Sequence, residues 1–127
     1  FDGVLCDVPC SATGNVRRHP EVMARWCQEE SQEFLAKQED LQWELLQSAW
    51  KALRPGGCLV YSTCTLSVRE NEDQCQKLLN AGGAQSLDMG RLLGMPWASS
   101  KEGFLRVWPH TFDTEGFFLA GFRKDQD

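Results

Sequence analysis

Long apolar runs and a secretion signal are both absent from this sequence of 127 residues. No stretch is long enough to span a bilayer, and no basic segment precedes an apolar region and a small-residue cleavage site. The sequence also has no internal repeat and no low-complexity tract. Neither a membrane protein nor a secreted protein is indicated, and the 42% of hydrophobic residues suits one globular domain.

Patterns of metal ligands and of disulfide frameworks are missing as well. The six cysteines, at positions 6, 10, 27, 58, 64 and 75, form no CxxC pair and no zinc-ligand spacing with the two histidines. We therefore expect no metal site and interpret the cysteines as reduced thiols of a cytoplasmic protein. The net charge of −5 gives no general attraction to nucleic acid, so binding of RNA or DNA would need a local basic patch.

The first half of the chain alternates between strand and helix patterns. Apolar residues at 3–8 and 58–64 predict two buried strands. Between them, apolar positions recur at helical spacing from about 33 to 53, and the proline and two glycines at 55–57 end this helix. The pattern predicts an α/β domain with parallel βαβ steps.

The second half of the chain carries weaker patterns. Residues Ser67, Val68, Arg69 and Glu70 predict a capping box at the start of another helix. Glycine and proline residues from 80 to 100 predict only loop and short pieces there. Residues 104–124 predict two strands joined by a turn, which close the sheet as an antiparallel hairpin.

A glycine-rich cofactor fingerprint is also absent. Nucleotide-binding folds of this type open with a strand, a glycine-rich turn and a helix, and the sequence contains no GxGxxG. We therefore expect residues 1–127 to be the carboxyl-terminal portion of one larger α/β domain, without its cofactor-binding amino-terminal half.

Two cysteines end the two predicted strands in distinctive motifs. Cys10 lies in "DVPCS" and Cys64 in "STCT". Either cysteine alone fits packing as well as nucleophilic chemistry, because free cysteine is commonly buried. Together with "RVWPHTFDTEGFF", the motifs resemble the RNA cytosine-5 methyltransferases of the Nol1/Nop2/Sun family, in particular the bacterial Sun (Fmu) type that acts on small-subunit ribosomal RNA. The resemblance implies a Rossmann-like methyltransferase fold and S-adenosylmethionine as methyl donor.

The resemblance further implies roles for three side chains. Carbon 5 of cytosine is too weak a nucleophile to take a methyl group from a sulfonium donor, and a thiolate that adds at carbon 6 removes this obstacle. Cys64 matches the family's attacking thiol, and Cys10 matches the thiol that helps to break the adduct. Asp7 matches the aspartate beside donor and target base, although by itself it fits a turn-initiating carboxylate before Pro9. The other four cysteines match no motif and are expected to pack in the core.

A basic segment follows Cys10 directly. We expect Arg17 and Arg18 in "SATGNVRRHP" to contact RNA phosphates, because Sun-type enzymes carry nearly the same run. By composition alone the segment is a solvated loop. The target base should be unpaired or flipped, since a duplex hides the reacting atom.

Two other interpretations stay open from the sequence. A DNA cytosine-5 methyltransferase would use the proline-cysteine thiol, Cys10, as the attacker. A non-catalytic protein that keeps the fold to bind a partner is the second alternative, and the absent cofactor half favours it. The resemblance also implies that the strand at 3–8 lies beside a first, cofactor-binding strand that this sequence lacks, so its exposed edge predicts self-association.

Overall fold

A computed structural model describes residues 1–10, 31–107 and 116–126 of the chain. The strands, in chain order, are β1 (Gly3–Asp7), β2 (Cys58–Thr63), β3 (Ala84–Leu87), β4 (Leu105–Val107) and β5 (Phe117–Lys124). The helices are α1 (Ser31–Ala52), α2 (Glu72–Ala81) and the short α3 (Met89–Leu92), and a 3-10 turn spans Pro96–Ala98. Within these ranges no helix combines the length and the apolar character needed to cross a membrane.

The strands of the described residues form one five-stranded sheet. β1 and β2 pair in parallel, from Gly3 opposite Cys58 to Asp7 opposite Ser62. β5 pairs antiparallel with β2 along one side and with both β3 and β4 along the other. The predicted α/β sheet with an antiparallel hairpin is confirmed. The second predicted parallel step does not bring two strands into direct pairing. β3 runs parallel to β2, but β5 lies between them.

The main core fills the face of the sheet that α1 and α2 cover. Tyr61 of β2, Phe118 and Phe122 of β5 and Leu46 of α1 are all fully buried. Phe104 packs edge-on against Phe118, with ring centroids 5.7 Å apart. Each such side chain contributes roughly 2 kcal/mol by leaving water, so this cluster fixes α1 and α2 on the sheet.

The opposite face of the sheet is covered at one end only, as far as the described residues show. Met89, Leu105 and Val107 form a second buried cluster over β4 and β5. At the other end, Leu5 of β1 is 70% exposed. Within the described ranges β1 also has a single strand neighbour, β2. The predicted open edge at this strand is therefore present in the described part of the chain.

The start of α2 differs from the sequence prediction. The helix begins at Glu72, and its N-cap residue Asn71 makes no capping hydrogen bond with its side chain. The Ser67 to Glu70 capping box is thus wrong, because the Glu70 side chain is fully buried and binds residues of other segments.

A strand also appears where only loop and short pieces were expected. β3 holds Ala84, Gln85, Ser86 and Leu87, a sequence with little strand character. Two glycines with φ near +80°, Gly82 and Gly83, make the turn into it from α2. Pairing with β5, rather than local propensity, makes these four residues a strand.

Three of the four cysteines outside the motifs pack as predicted. Cys75 is fully buried, Cys6 is nearly so, and Cys58 is half-buried. Burial raises the pKa of the Cys6 and Cys75 thiols, so both stay protonated near neutral pH and are poor nucleophiles. Cys27 lies outside the described residues.

Candidate active site

The two cysteine motifs meet at the carboxyl edge of the parallel pair β1 and β2. Segments that follow parallel strands leave the sheet at the same end, so the fold brings together residues that are 54 positions apart. The Sγ atoms of Cys10 and Cys64 lie 3.0 Å apart, a thiol–thiol hydrogen-bond distance in which either sulfur can donate. Both side chains are half-buried and so remain partly open to solvent.

Asp7 ends β1 at the same edge of the sheet. Its Oδ1 accepts a hydrogen bond of 2.8 Å from Oγ of Ser62, the residue directly opposite on β2. This bond orients the carboxylate, and the side chain is otherwise exposed. Asp7 is therefore a fixed acceptor at the strand end where the cysteine segments begin.

Polar side chains hold the chain on both sides of Cys64. Thr63 donates from Oγ1 to Asn71 Oδ1 over 2.5 Å. Nδ2 of Asn71 donates to the backbone oxygen of Thr65 over 2.9 Å, and Oγ1 of Thr65 donates to Glu70 Oε2 over 3.0 Å. All four side chains are buried. The pair Glu70 and Asn71 thus fixes the two residues that flank the thiol.

A third buried side chain extends these contacts to the other motif. Nε2 of Gln42, on α1, donates to the backbone oxygen of Pro9 over 2.8 Å and to Glu70 Oε1 over 3.1 Å. Tyr61 supports the same corner, since its hydroxyl donates to the backbone oxygen of Glu70 over 2.6 Å. The "DVPC" and "STCT" segments are therefore connected through side chains as well as through the sheet.

Arg106 of β4 also binds the segment that follows Cys64. Its Nη1 donates to the backbone oxygen of Leu66 over 3.1 Å. Its other nitrogens form a bidentate ion pair with Glu72 at the start of α2. The loop that carries Cys64 is consequently tied to α1, α2 and β4.

Sequence reasoning placed Cys64, Cys10 and Asp7 correctly at one edge but missed Gln42, Glu70 and Asn71. Two signals point to them afterwards. Gln42 is a polar residue on the core-facing side of α1, in line with Leu46, and the Glu-Asn pair follows the cysteine motif closely. The predicted RNA contacts Arg17 and Arg18 lie outside the described residues. Among the described residues no group of His, Cys, Asp and Glu side chains is arranged to hold a metal ion.

Comparison with known proteins shows the family to which the chain belongs. Residues 1–123 match the family described as 16S rRNA methyltransferase RsmB/F. The chain belongs to this RsmB/F family. The resemblance to the Sun group that the motifs predicted is thereby confirmed.

Relatives within the RsmB/F family cover nearly the whole chain. It is 47% identical to ribosomal RNA small subunit methyltransferase F of Aeromonas hydrophila over 127 residues, which are 98% of this chain and 26% of that protein. Identity to the protein of the same name from Shewanella loihica is 45% over 127 residues, 98% of this chain and 25% of that protein. The chain therefore spans about a quarter of the length of these curated relatives.

A solved structure supports the same fold. The crystal structure of NSun6 from Pyrococcus horikoshii with SFG superposes with a TM-score of 0.73 and 32% identity, over 97% of this chain and 30% of that one. The predicted Rossmann-like methyltransferase fold is confirmed by this likeness.

Proposed function

We propose that the protein containing this chain is an S-adenosylmethionine-dependent RNA cytosine-5 methyltransferase that acts on ribosomal RNA. The supporting observation is the 3.0 Å contact between the sulfurs of Cys10 and Cys64, each at the end of a parallel strand. Two thiols in this relation suit a reaction in which one forms a carbon–sulfur bond and the other assists in breaking it. The RsmB/F family and the names of the relatives supply the substrate class.

Cys64 is the proposed nucleophile. Its thiolate adds to carbon 6 of the target cytosine, which makes carbon 5 nucleophilic enough to be methylated. Cys10 lies within hydrogen-bond distance of that sulfur. It assists the final step, in which carbon 5 loses its proton, the ring double bond returns and the Cys64 sulfur leaves. Asp7 offers a carboxylate at the same edge for hydrogen bonds to the base.

The methyl donor fits one described side chain at this edge. S-Adenosylmethionine supplies an electrophilic methyl group when bound, and SFG, with which the NSun6 structure was solved, is an analogue of it. The Asp7 carboxylate is exposed and already oriented by Ser62, so it can accept a hydrogen bond from S-adenosylmethionine. One carboxylate gives too few contacts for tight binding, so the remaining contacts belong to the part of the domain that corresponds to the other three quarters of the relatives.

The proposed function is tested by trapping the intact protein on RNA that contains 5-fluorocytidine. Fluorine cannot leave carbon 5 as a proton does, so the methylated adduct cannot break down. We expect a covalent protein–RNA complex that depends on the methyl donor, with the RNA attached to Cys64 in peptide mapping. The matched control is duplex DNA with 5-fluoro-2′-deoxycytidine, which should give no complex.

Each alternative function gives a different result in the same experiment. Attachment to Cys10 that survives Cys64→Ser would support the chemistry of DNA cytosine-5 methyltransferases. No complex with either nucleic acid, together with no methyl transfer, would support a non-catalytic binding protein.

A second prediction concerns residues 1–127 prepared alone. Asp7 alone gives one contact to S-adenosylmethionine, so we expect no binding of this methyl donor at micromolar concentration and no methylation. Because β1 lacks an outer neighbour in the described residues, we also expect self-association. Light scattering and calorimetry measure these properties. A lysine on the exposed edge strand, Leu5→Lys, should reduce self-association, whereas Val68→Lys in an exposed turn should not. A clean monomer that binds the donor at micromolar concentration would contradict the prediction.

A further inference from the structure

Gln42 is a buried polar residue at a position where α1 otherwise presents apolar side chains. Its side chain has no exposed surface, and Leu46 on the same helix and Leu53 just after its end are buried in the main core. Transfer of a carboxamide from water to the core without hydrogen bonds costs a free energy of several times RT. A leucine at this position would avoid that cost. The hydrogen bonds that Gln42 makes therefore indicate its purpose.

Those bonds run between the two cysteine segments. At one end, Gln42 Nε2 donates over 2.8 Å to the carbonyl of Pro9, which belongs to the peptide unit directly before Cys10. At the other end, it donates over 3.1 Å to Glu70, whose second carboxylate oxygen accepts from Thr65 over 3.0 Å. Thr65 directly follows Cys64. Each end of this bridge thus lies one residue from a thiol.

The sheet itself stops short of the two thiols. The paired register of β1 and β2 ends at Asp7 and Ser62, and Val8 N donates to Ser62 O over 3.2 Å just beyond it. Cys10 and Cys64 both lie beyond it in sequence. The separation of their sulfurs therefore depends on side-chain contacts as well as on strand pairing.

We infer that Gln42 and Glu70 form a positioning bridge that sets the separation of the Cys10 and Cys64 sulfurs. Among the described residues, Gln42 binds the Pro9 carbonyl and Glu70 binds the Thr65 hydroxyl, so the bridge acts through the residues next to the thiols. The consequence for turnover rests on the proposed function, but the geometric effect can be measured without RNA. A small misplacement of a reactive group lowers the reaction rate strongly. This gain in rate accounts for the burial of a polar carboxamide at position 42.

The spacing is measured by thiol–disulfide exchange in the intact protein. One glutathione disulfide accepts two electrons and becomes two glutathione thiols, while the Cys10 and Cys64 thiols lose two protons and two electrons and form one disulfide. The equilibrium constant is an effective concentration, which rises as the two thiols are held closer. Mass spectrometry of peptides confirms which cysteines have joined.

Two methionine variants of α1 separate positioning from packing. Gln42→Met removes the bridge, and we expect the effective concentration to fall at least roughly tenfold. Leu46→Met is the matched control, because Leu46 lies on the same helix, is equally buried in the main core and has no polar atom that could bind either cysteine segment. Its effective concentration should stay within about twofold of the unchanged protein. Equal falls in both variants would overturn the inference.

A second variant covers the case in which Gln42→Met does not fold. Thr65→Val keeps the shape of the side chain but removes the hydroxyl that binds Glu70 at the far end of the bridge. It should lower the effective concentration in the same direction, and no change would overturn the inference.

Methyl transfer gives the functional readout. Gln42→Met should lower kcat roughly tenfold and leave the KM for RNA within about threefold, because the bridge places thiols and does not bind RNA. If the thiol equilibrium responds to Gln42→Met while the unchanged protein transfers no methyl group to RNA, the bridge stands and the proposed function fails.

Discussion

Cys64→Ala in the intact protein should abolish covalent trapping on RNA and lower methyl transfer by at least roughly a thousandfold. Without the sulfur, carbon 6 receives no nucleophile and carbon 5 stays unreactive. We expect Cys10 not to replace it, because in the proposed mechanism the Cys10 thiol assists the release of the adduct and does not form it. The measurements are transfer of a labelled methyl group and a shifted protein band on a denaturing gel.

The cysteine at the start of β2 provides the control for this result. Cys58 is half-buried at the start of the strand that leads to Cys64, so Cys58→Ala removes a thiol from the same strand but not from the site. That variant should keep its activity within about threefold. Substantial methyl transfer by Cys64→Ala would show that the attacking thiol lies elsewhere.

Cys10→Ala should instead make RNA-bound protein accumulate on ordinary cytosine. Attack by Cys64 is still possible, but the adduct loses the neighbouring group that lies 3.0 Å from the leaving sulfur. Turnover should therefore fall while the covalent complex becomes visible on a denaturing gel without any mechanism-based analogue. This effect is opposite in kind to that of Cys64→Ala, where no complex forms.

The double variant tests whether the accumulated complex involves Cys64. Removal of both thiols should eliminate the complex that Cys10→Ala builds up. Normal turnover by Cys10→Ala with no accumulated adduct would show that the release role is wrong. A complex that accumulates in Cys64→Ala would exchange the two roles.

Most of the sheet could be predicted because its strands carry strong local patterns. The apolar runs at 3–8 and 58–64 became β1 and β2, and the helical spacing between them became α1. β3 could not be predicted, since its four residues gain their strand form from β5, which lies some thirty residues later in the chain. The insertion of β5 between β2 and β3 is likewise a property of long-range pairing.

Part of the candidate site could also be predicted from the sequence, and part could not. Motif and strand position together predicted Cys10, Cys64 and Asp7 at one edge of the sheet. The side chains that hold them were hidden because Glu70 fits a local capping pattern and Gln42 fits an exposed helix position when the sequence is read alone. Burial reverses both interpretations, since a carboxylate and a carboxamide out of contact with water must find hydrogen-bond partners in other segments.

The central position of β5 also governs the order in which a ribosome can complete this sheet. β1, α1 and β2 are neighbours in sequence and in space, so they can assemble as soon as they emerge. β3 and β4 emerge next, yet their described partner is β5, which is translated after both. Translation that stops before residue 117 would therefore leave both strands without that partner, and we expect quality-control proteases to remove such products.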